Sequence, residues 1–326
     1  MTDQTSAVES EAHARPKLRR GPEARAPRQQ TRPADEAPFS LDYLRSIIQR
    51  RLALLVPSAH VRPQRVHSAI RYSLLAPGKR IRPMLCVLTA HGAGRTDAAA
   101  LDAGCAIELV HTASLVLDDL PAMDDAALRR GQACAHLHFD ESTAILSAIA
   151  MLNRAFGLLS TIDGVDDRTR TRLVARLSSV VGSAGLVAGQ DCDLHDRAIY
   201  SDVARIEALN RLKTGVLFVA AVEFGGLVAG LCDDDLEKLA CFGETFGLAF
   251  QTADDIVDAR STPEAAGKDV RQDGGKPTVV SLAGVDEARR RVAVQLAEAR
   301  RVLSSCSFDI APLDGLLDAF ERKLAL

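Results

Sequence analysis

An all-α bundle around a central cavity, in a single large domain, is the fold class that this sequence predicts. Apolar residues recur at three- and four-residue spacing through LDYLRSIIQRRLALLV (41–56), CAIELVHTASLVLDD (105–119), TAILSAIAMLNRAFGLL (143–159) and DLEKLACFGETFGLAFQTADDIVDA (235–259). No stretch alternates convincingly as a strand would. Breakers fall between the periodic runs, at Pro77-Gly78, Pro121, Gly164, Gly230 and Gly274-Gly275-Lys276-Pro277. Several of the helices are apolar on more than one face, as expected of a central helix surrounded by others, so ten or more helices are expected.

The N-terminal segment up to residue 36 mixes Arg, Pro, Gln, Glu and Ala with almost no large apolar side chain, and cannot offset the entropy of ordering. It is expected to be a disordered arm, with the folded domain spanning residues 37–326. Its arginines suit a targeting peptide, but the interspersed acids weigh against one. The remainder draws on a chain of 326 residues that is 47% hydrophobic, enough for a large core. A net charge of −3 supports neither nucleic acid nor an acidic partner. Seven scattered cysteines without a CxxC pair fit a reducing compartment and argue against a disulfide framework or a zinc site. No uninterrupted apolar run reaches the roughly 18 residues of a membrane helix, and no signal-peptide core is visible. A cytoplasmic protein is expected.

DDLPAMDD (118–125) concentrates carboxylates where a helix must end near Pro121. The helix dipole is already negative there, which makes further negative charge unfavourable by about 0.3–1 kcal/mol per group. A bound cation would supply the missing charge. In QTADDIVDA, Asp254 and Asp258 lie four apart on one helical face with Asp255 beside them. Oxygen ligands without nearby histidine or cysteine favour Mg²⁺, completed by waters and substrate phosphates. Four basic stretches match a phosphorylated ligand: Lys79, Arg80 and Arg82 in PGKRIRP, Arg129 and Arg130 in LRRG, Lys213 and Thr214 in LKTG, and Lys268, Arg271 and Lys276 in GKDVRQDGGKPT. Each cluster alone reads equally as a solvated charged face; their combination is the specific signal. His111, on an apolar helix, reads from its surroundings as a buried hydrogen-bonded residue. His136 and His138 lack a partner that would complete a metal site and read as near-surface residues or as supports behind the site.

In this order, GKRIRP, DDLPAMDD with LRRG, GLVAGQDCDL, LKTG, FQTADDIVD and GKDVRQDGGKPT resemble the trans-isoprenyl diphosphate synthases, from about residue 40 to the C-terminus. HTASLVLDD and AILSAIAMLNRAF resemble the bacterial geranylgeranyl diphosphate synthases of carotenoid pathways. The resemblance implies head-to-tail condensation of isopentenyl diphosphate with C5, C10 and C15 allylic diphosphates. Asp118, Asp119 and Asp124, with Asp254, Asp255 and Asp258, would then hold magnesium, three ions when diphosphate is bound. Arg129, Lys213, Thr214, Gln251, Lys268 and Lys276 match the family's allylic diphosphate contacts. Gly78, Lys79, Arg82, His111 and Arg130 match its isopentenyl diphosphate site, which turns His111 from a structural residue into a ligand. Asp125 lies outside the matched spacing. Departing diphosphate takes the proton in the family's mechanism, in keeping with the lack of a side-chain nucleophile and base arrangement. The family's usual homodimer is expected.

Product length is expected to be C20. A bulky ring four or five residues before Asp118 stops elongation in the shorter-chain members, whereas this chain has Ala113 and Ser114 there. Burying one more C5 unit is worth on the order of 4 kcal/mol, so an open tunnel favours elongation; on this reading Ala113→Tyr shifts the product toward C15. The alternative is that Ala113 is a small helix-packing residue and the floor lies elsewhere. Ile149 stands where many members carry aspartate. A farnesyl (C15) synthase, a class I terpene cyclase and a non-catalytic synthase subunit are the rival readings; a cyclase should lack the second aspartate motif and a silent subunit should lose part of one.

Overall fold

Aspartates open four of the helices. Asp97, Asp140, Asp166 and Asp202 each accept a hydrogen bond from a backbone N–H in the first turn that follows, satisfying donors that a helix start leaves unpaired. The structure, a computed structural model, describes residues 40–196, 202–260 and 277–324. The N-terminal arm and the GKDVR stretch expected from sequence lie outside them, as do Lys268, Arg271 and Lys276. From Pro38 onward the chain forms one compact unit.

Its helices are α1 (Leu41–Leu55), α2 (Gln64–Leu74), α3 (Ile81–Gly92), α4 (Ala98–Asp118), α5 (Ala135–His138), α6 (Glu141–Ser160), α7 (Asp167–Val181), α8 (Leu186–His195) and α9 (Val203–Asn210). A π-helical turn, Arg211–Gly215, joins α9 to α10 (Val216–Ala229), followed by α11 (Asp233–Arg260), α12 (Val279–Ala283), α13 (Val285–Leu303) and α14 (Ala311–Leu324). One element departs from the all-helical expectation. Strands β1 (Leu128–Arg129) and β2 (Gln132–Ala133) pair antiparallel, Leu128 opposite Ala133 and Arg129 opposite Gln132. Arg130 and Gly131 between them have φ of 55° and 79°, as a two-residue type I′ hairpin requires. Strands this short contain no alternation to read.

Central position shows in the burial of α4 and α10. Asp102 to Val110 is buried without a break, so every face of that stretch meets protein. α4 packs on α6, α3 and α10, and α10 packs also on α11 and α3. α10 approaches α3 so closely that a Cβ on Gly225 would lie 2.3 Å from the Cys86 carbonyl oxygen. Asp102 is tolerated in this interior because Arg51 of α1 grips both its oxygens at 2.6 and 2.7 Å. Among the described residues, four helical stretches, α4 and α6 among them, would suffice by length and mean hydropathy to cross a membrane, a broader criterion than an uninterrupted apolar run. In α4, 72% of the qualifying window is buried inside the protein.

Candidate functional site

The backbone beyond α4 explains how the first four carboxylates come together. After Asp118 the chain turns back on itself, and the N–H groups of Asp124, Asp125 and Ala126 bond to the carbonyls of Asp118, Leu120 and Asp119 at 2.9, 3.1 and 3.2 Å. The LPAM insertion therefore caps the helix C-terminus and brings Asp124 back beside Asp118. Asp125 sits in the left-handed region, φ 47°, within this turn. Burial drives the Asp118 carboxyl up to about 6, with Asp124 and Asp119 adding to the shift and Lys213 and Arg129 opposing it.

Arg129 meets this loop from the hairpin, donating from Nε and Nη2 to one oxygen of Asp119 at 2.9 and 2.5 Å. Lys213 and Thr214 lie on the π-helical turn, a distortion frequent at functional sites. Lys213 pairs at 2.6 Å with Asp193, and Thr214 donates to Gln251, which donates to Asp255. A Cβ on Gly189 of α8 would lie 2.5 Å from the Lys213 backbone nitrogen and 2.7 Å from the Leu212 carbonyl carbon. Gly189→Ala is accordingly expected to destabilise by about 1–3 kcal/mol through overpacking and to lower activity by displacing Lys213, which thermal melts and a rate assay on the same preparation would check.

The second acidic cluster lies at the end of α11, and the PGKRIRP loop reaches it directly: Lys79 Nζ is 2.6 Å from Asp254 and 4.9 Å from the centre of the Phe250 ring. Arg82 stacks 4.5 Å over Phe218 and lies 3.4 Å from His111 Nε2. Burial lowers the Arg82 guanidinium to about 10, which leaves it charged at neutral pH. Burial, reinforced by Arg82, Arg130, Arg80 and Arg129, holds His111 well below the ordinary histidine range, so its imidazole is neutral. Arg82, His111, Ser114 and Asp118 keep partial solvent exposure inside this helical frame. Two of the arginines have unspent donors: Arg82 Nε and Arg130 Nη1 are buried without a hydrogen-bond partner. A Cβ on Gly78 would lie 3.2 Å from the Arg130 guanidinium carbon, so a larger residue there would push against that side chain. Behind it, Tyr72, Thr112, Asp119, Arg129, Arg130 and Cys134 help line a cavity of about 30 Å³, room for about one water. Left-handed backbone at Arg80 and Arg130, φ 52° and 55°, costs about 1–2 kcal/mol at each.

Thus Gly78, Lys79, Arg82, His111 and Arg130 are brought together, as are Asp118, Asp119 and Asp124 with Arg129 and Lys213, and Gln251 with Thr214 and Asp255. Asp258 is partly buried one turn beyond Asp254. Ala113 is buried and Ser114 partly exposed. Of the two alternatives for the histidines, His136 does not fit the near-surface one, being buried, while His138 stacks on Tyr72 at 4.3 Å. Two residues of the site, Asp193 and Glu108, had no assigned role in the sequence, and a third, Arg80, counted there among the basics that match a phosphorylated ligand, is spent on a buried carboxylate instead. Asp193, within GLVAGQDCDL, is 8% exposed and holds Lys213. Arg80 and Glu108 form a buried ion pair beneath the PGKRIRP loop. The available signal was a carboxylate inside an apolar helix at Glu108, which demands a partner.

Comparison with known proteins agrees with this layout. Geranylgeranyl diphosphate synthase of Pantoea ananas is 40% identical over 282 residues, 85% of this chain and 92% of its own. A dimethylallyltranstransferase of Fischerella ambigua is 36% identical over 291 residues, 87% of this chain and 84% of its own. The apo crystal structure of an FPP/GFPP synthase from Zymomonas mobilis superposes with a TM-score of 0.74 at 32% identity, covering 85% of this chain and 95% of that one. Residues 63–305, which contain both aspartate clusters and all four basic stretches, match the polyprenyl synthetase profile, and the chain belongs to the polyprenyl synthetase family.

Proposed function

We propose that this chain is a prenyltransferase that joins isopentenyl diphosphate head to tail to C5, C10 and C15 allylic diphosphates and releases the C20 product, geranylgeranyl diphosphate. The observation that carries the reading is the facing of two unlike surfaces: Arg82 and Arg130 with unspent buried donors, against carboxylates of both acidic clusters, linked by Lys79 to Asp254. Relatives named geranylgeranyl diphosphate synthase support the product.

Magnesium fits the donor set. Among the described residues no three His, Cys, Asp or Glu side chains are grouped closely enough to hold an ion alone, and the oxygens of Asp118, Asp119, Asp124, Asp254, Asp255 and Asp258 suit a hard cation that completes its shell from water and diphosphate. Asp118, ionised at neutral pH despite burial, has charge left to offset. Bound there, three ions would neutralise the charge that develops on departing diphosphate. Lys213, Thr214, Gln251 and Arg129 hold the allylic diphosphate, with Lys268 and Lys276 assigned alongside them. Arg82, Arg130, Lys79 and neutral His111 hold isopentenyl diphosphate, so that its double bond attacks the allylic carbon as the carbon–oxygen bond breaks. The proton lost from the new chain goes to the departing diphosphate.

A homodimer and a reducing, cytoplasmic setting complete the reading, with carotenoid synthesis as the consumer of the product. The homodimer is supported by α6, where Ile145, Leu146 and Ile149 are 39%, 53% and 54% exposed on neighbouring turns. Ile149→Arg is expected to give a monomer in light scattering, and an unchanged mass would place any interface elsewhere. Seven free cysteines suit the reducing setting.

The function is tested by supplying isopentenyl diphosphate with each allylic starter, with Mg²⁺ or with chelator, and resolving the products by length. Metal-dependent C20 diphosphate is expected. No condensation, or a cyclic hydrocarbon from one diphosphate alone, would overturn the transferase reading; a C15 product would keep the transfer and correct the length.

A further inference from the structure

Beneath the isopentenyl diphosphate residues lies a buried charge cluster that none of them accounts for. Arg80 has a side chain with no solvent exposure, and every arm of its fork is used. Nε donates to Gln49 Oε1 at 3.0 Å, Nη1 to Glu108 Oε1 at 2.5 Å, and Nη2 to the carbonyls of Leu74 and Ala76, both at 2.7 Å. Those carbonyls stand at the end of α2 and just beyond it, so Arg80 ties the PGKRIRP loop to the helix before it. Glu108, 2% exposed, has further cations on its other side. Its Oε1 lies 3.8 Å from Arg130 Nη2, and its charge favours the ionised forms of both Arg82 and Arg130. Arg80, its side chain without solvent exposure and four of its five N–H donors taken by α1, the end of α2 and Glu108, is not placed to meet an incoming anion; Arg82 and Arg130 have donors left.

We propose that Glu108 is a positioning residue for the isopentenyl diphosphate site, a buried counter-charge that Arg80 anchors and that holds Arg130 and Arg82 in place before the anion arrives. This rests on the reading of that site given above. Two effects of Glu108 on anion binding have opposite signs, which makes the role testable. As a mere negative charge near the site it repels diphosphate, and its removal would tighten binding. As the residue that keeps mutually repelling guanidiniums in one arrangement it favours binding, and its removal loosens it. The confinement of Arg130 at a strained hairpin turn over Gly78 points to the second effect.

The experiment compares the full chain with Glu108→Gln, which keeps an acceptor for Arg80 without the charge, and with Glu108→Asp, which keeps the charge. The KM of isopentenyl diphosphate, the KM of the allylic starter, kcat and the melting temperature are read on each. The expected result is a roughly tenfold rise in isopentenyl KM in Glu108→Gln, partly rescued in Glu108→Asp, with kcat and allylic KM each moving less than about threefold. A lower isopentenyl KM in Glu108→Gln would overturn the proposal in favour of simple repulsion. Loss of kcat and melting temperature together, with both KM values unmoved, would overturn it in favour of a purely structural ion pair. Failure of the unaltered chain to bind isopentenyl diphosphate, measured by calorimetry, would instead overturn the reading of the site.

Discussion

Asp118→Asn is expected to make the metal-free protein more stable and the enzyme far less active. The folded protein holds this carboxyl at about 6, against 3.8 for the ordinary group, because burial and the neighbouring Asp124 and Asp119 outweigh Lys213 and Arg129. A shift of one unit corresponds to about 1.4 kcal/mol, and the residual exposure of the side chain reduces the full figure to roughly 1–2 kcal/mol. The sign follows from proton uptake. Between about pH 4 and 6 the folded state binds more protons than the unfolded one, so stability falls as pH rises through that window and is level above it. The asparagine variant lacks this loss. Its melting temperature in chelator should match the parent at about pH 4 and exceed it by a few degrees above about pH 7. The same substitution removes a carboxylate assigned to magnesium, and kcat should drop on the order of 10³-fold. A variant that melts no higher than its parent at high pH would show that the charge of Asp118 is already compensated in the free protein.

Ser114→Tyr is expected to convert the C20 product to C15. Ser114 lies one turn before Asp118 on the same face of α4, is partly exposed, and donates its hydroxyl to the His111 carbonyl at 2.9 Å. His111 and Asp118, its neighbours along that face, keep partial exposure as well. Ala113 has none. A ring at 114 would therefore enter the space that the growing chain needs, whereas a ring at 113 would enter a packed helix interface and cost about 1–3 kcal/mol by overpacking. Each C5 unit denied burial loses on the order of 4 kcal/mol, enough to halt elongation. Product analysis from a C10 starter checks this, and continued C20 formation by a well-folded Ser114→Tyr enzyme would remove Ser114 from the tunnel wall. The alanine position flagged beside it in the sequence is better read as part of the α4 packing.

What the sequence by itself determined is the helical class and the chemistry-bearing residues. Three- and four-residue apolar spacing survives any tertiary arrangement, because it records which face of a helix must be buried. Both aspartate clusters and the basic stretches were legible for a similar reason: charge packed this densely has to be matched by something. The tertiary structure alone decided which charges meet. Lys79 finds Asp254 from 175 positions away along the chain, Lys213 finds Asp193, and Arg80 finds Glu108. Such pairings depend on how helices cross, and local propensity contains no term for that. The hairpin that presents Arg129 and Arg130 stayed hidden because its strands are two residues each, too short to show a period. Asp193 and Glu108 stayed hidden because a buried acid declares its role only through the cation packed against it.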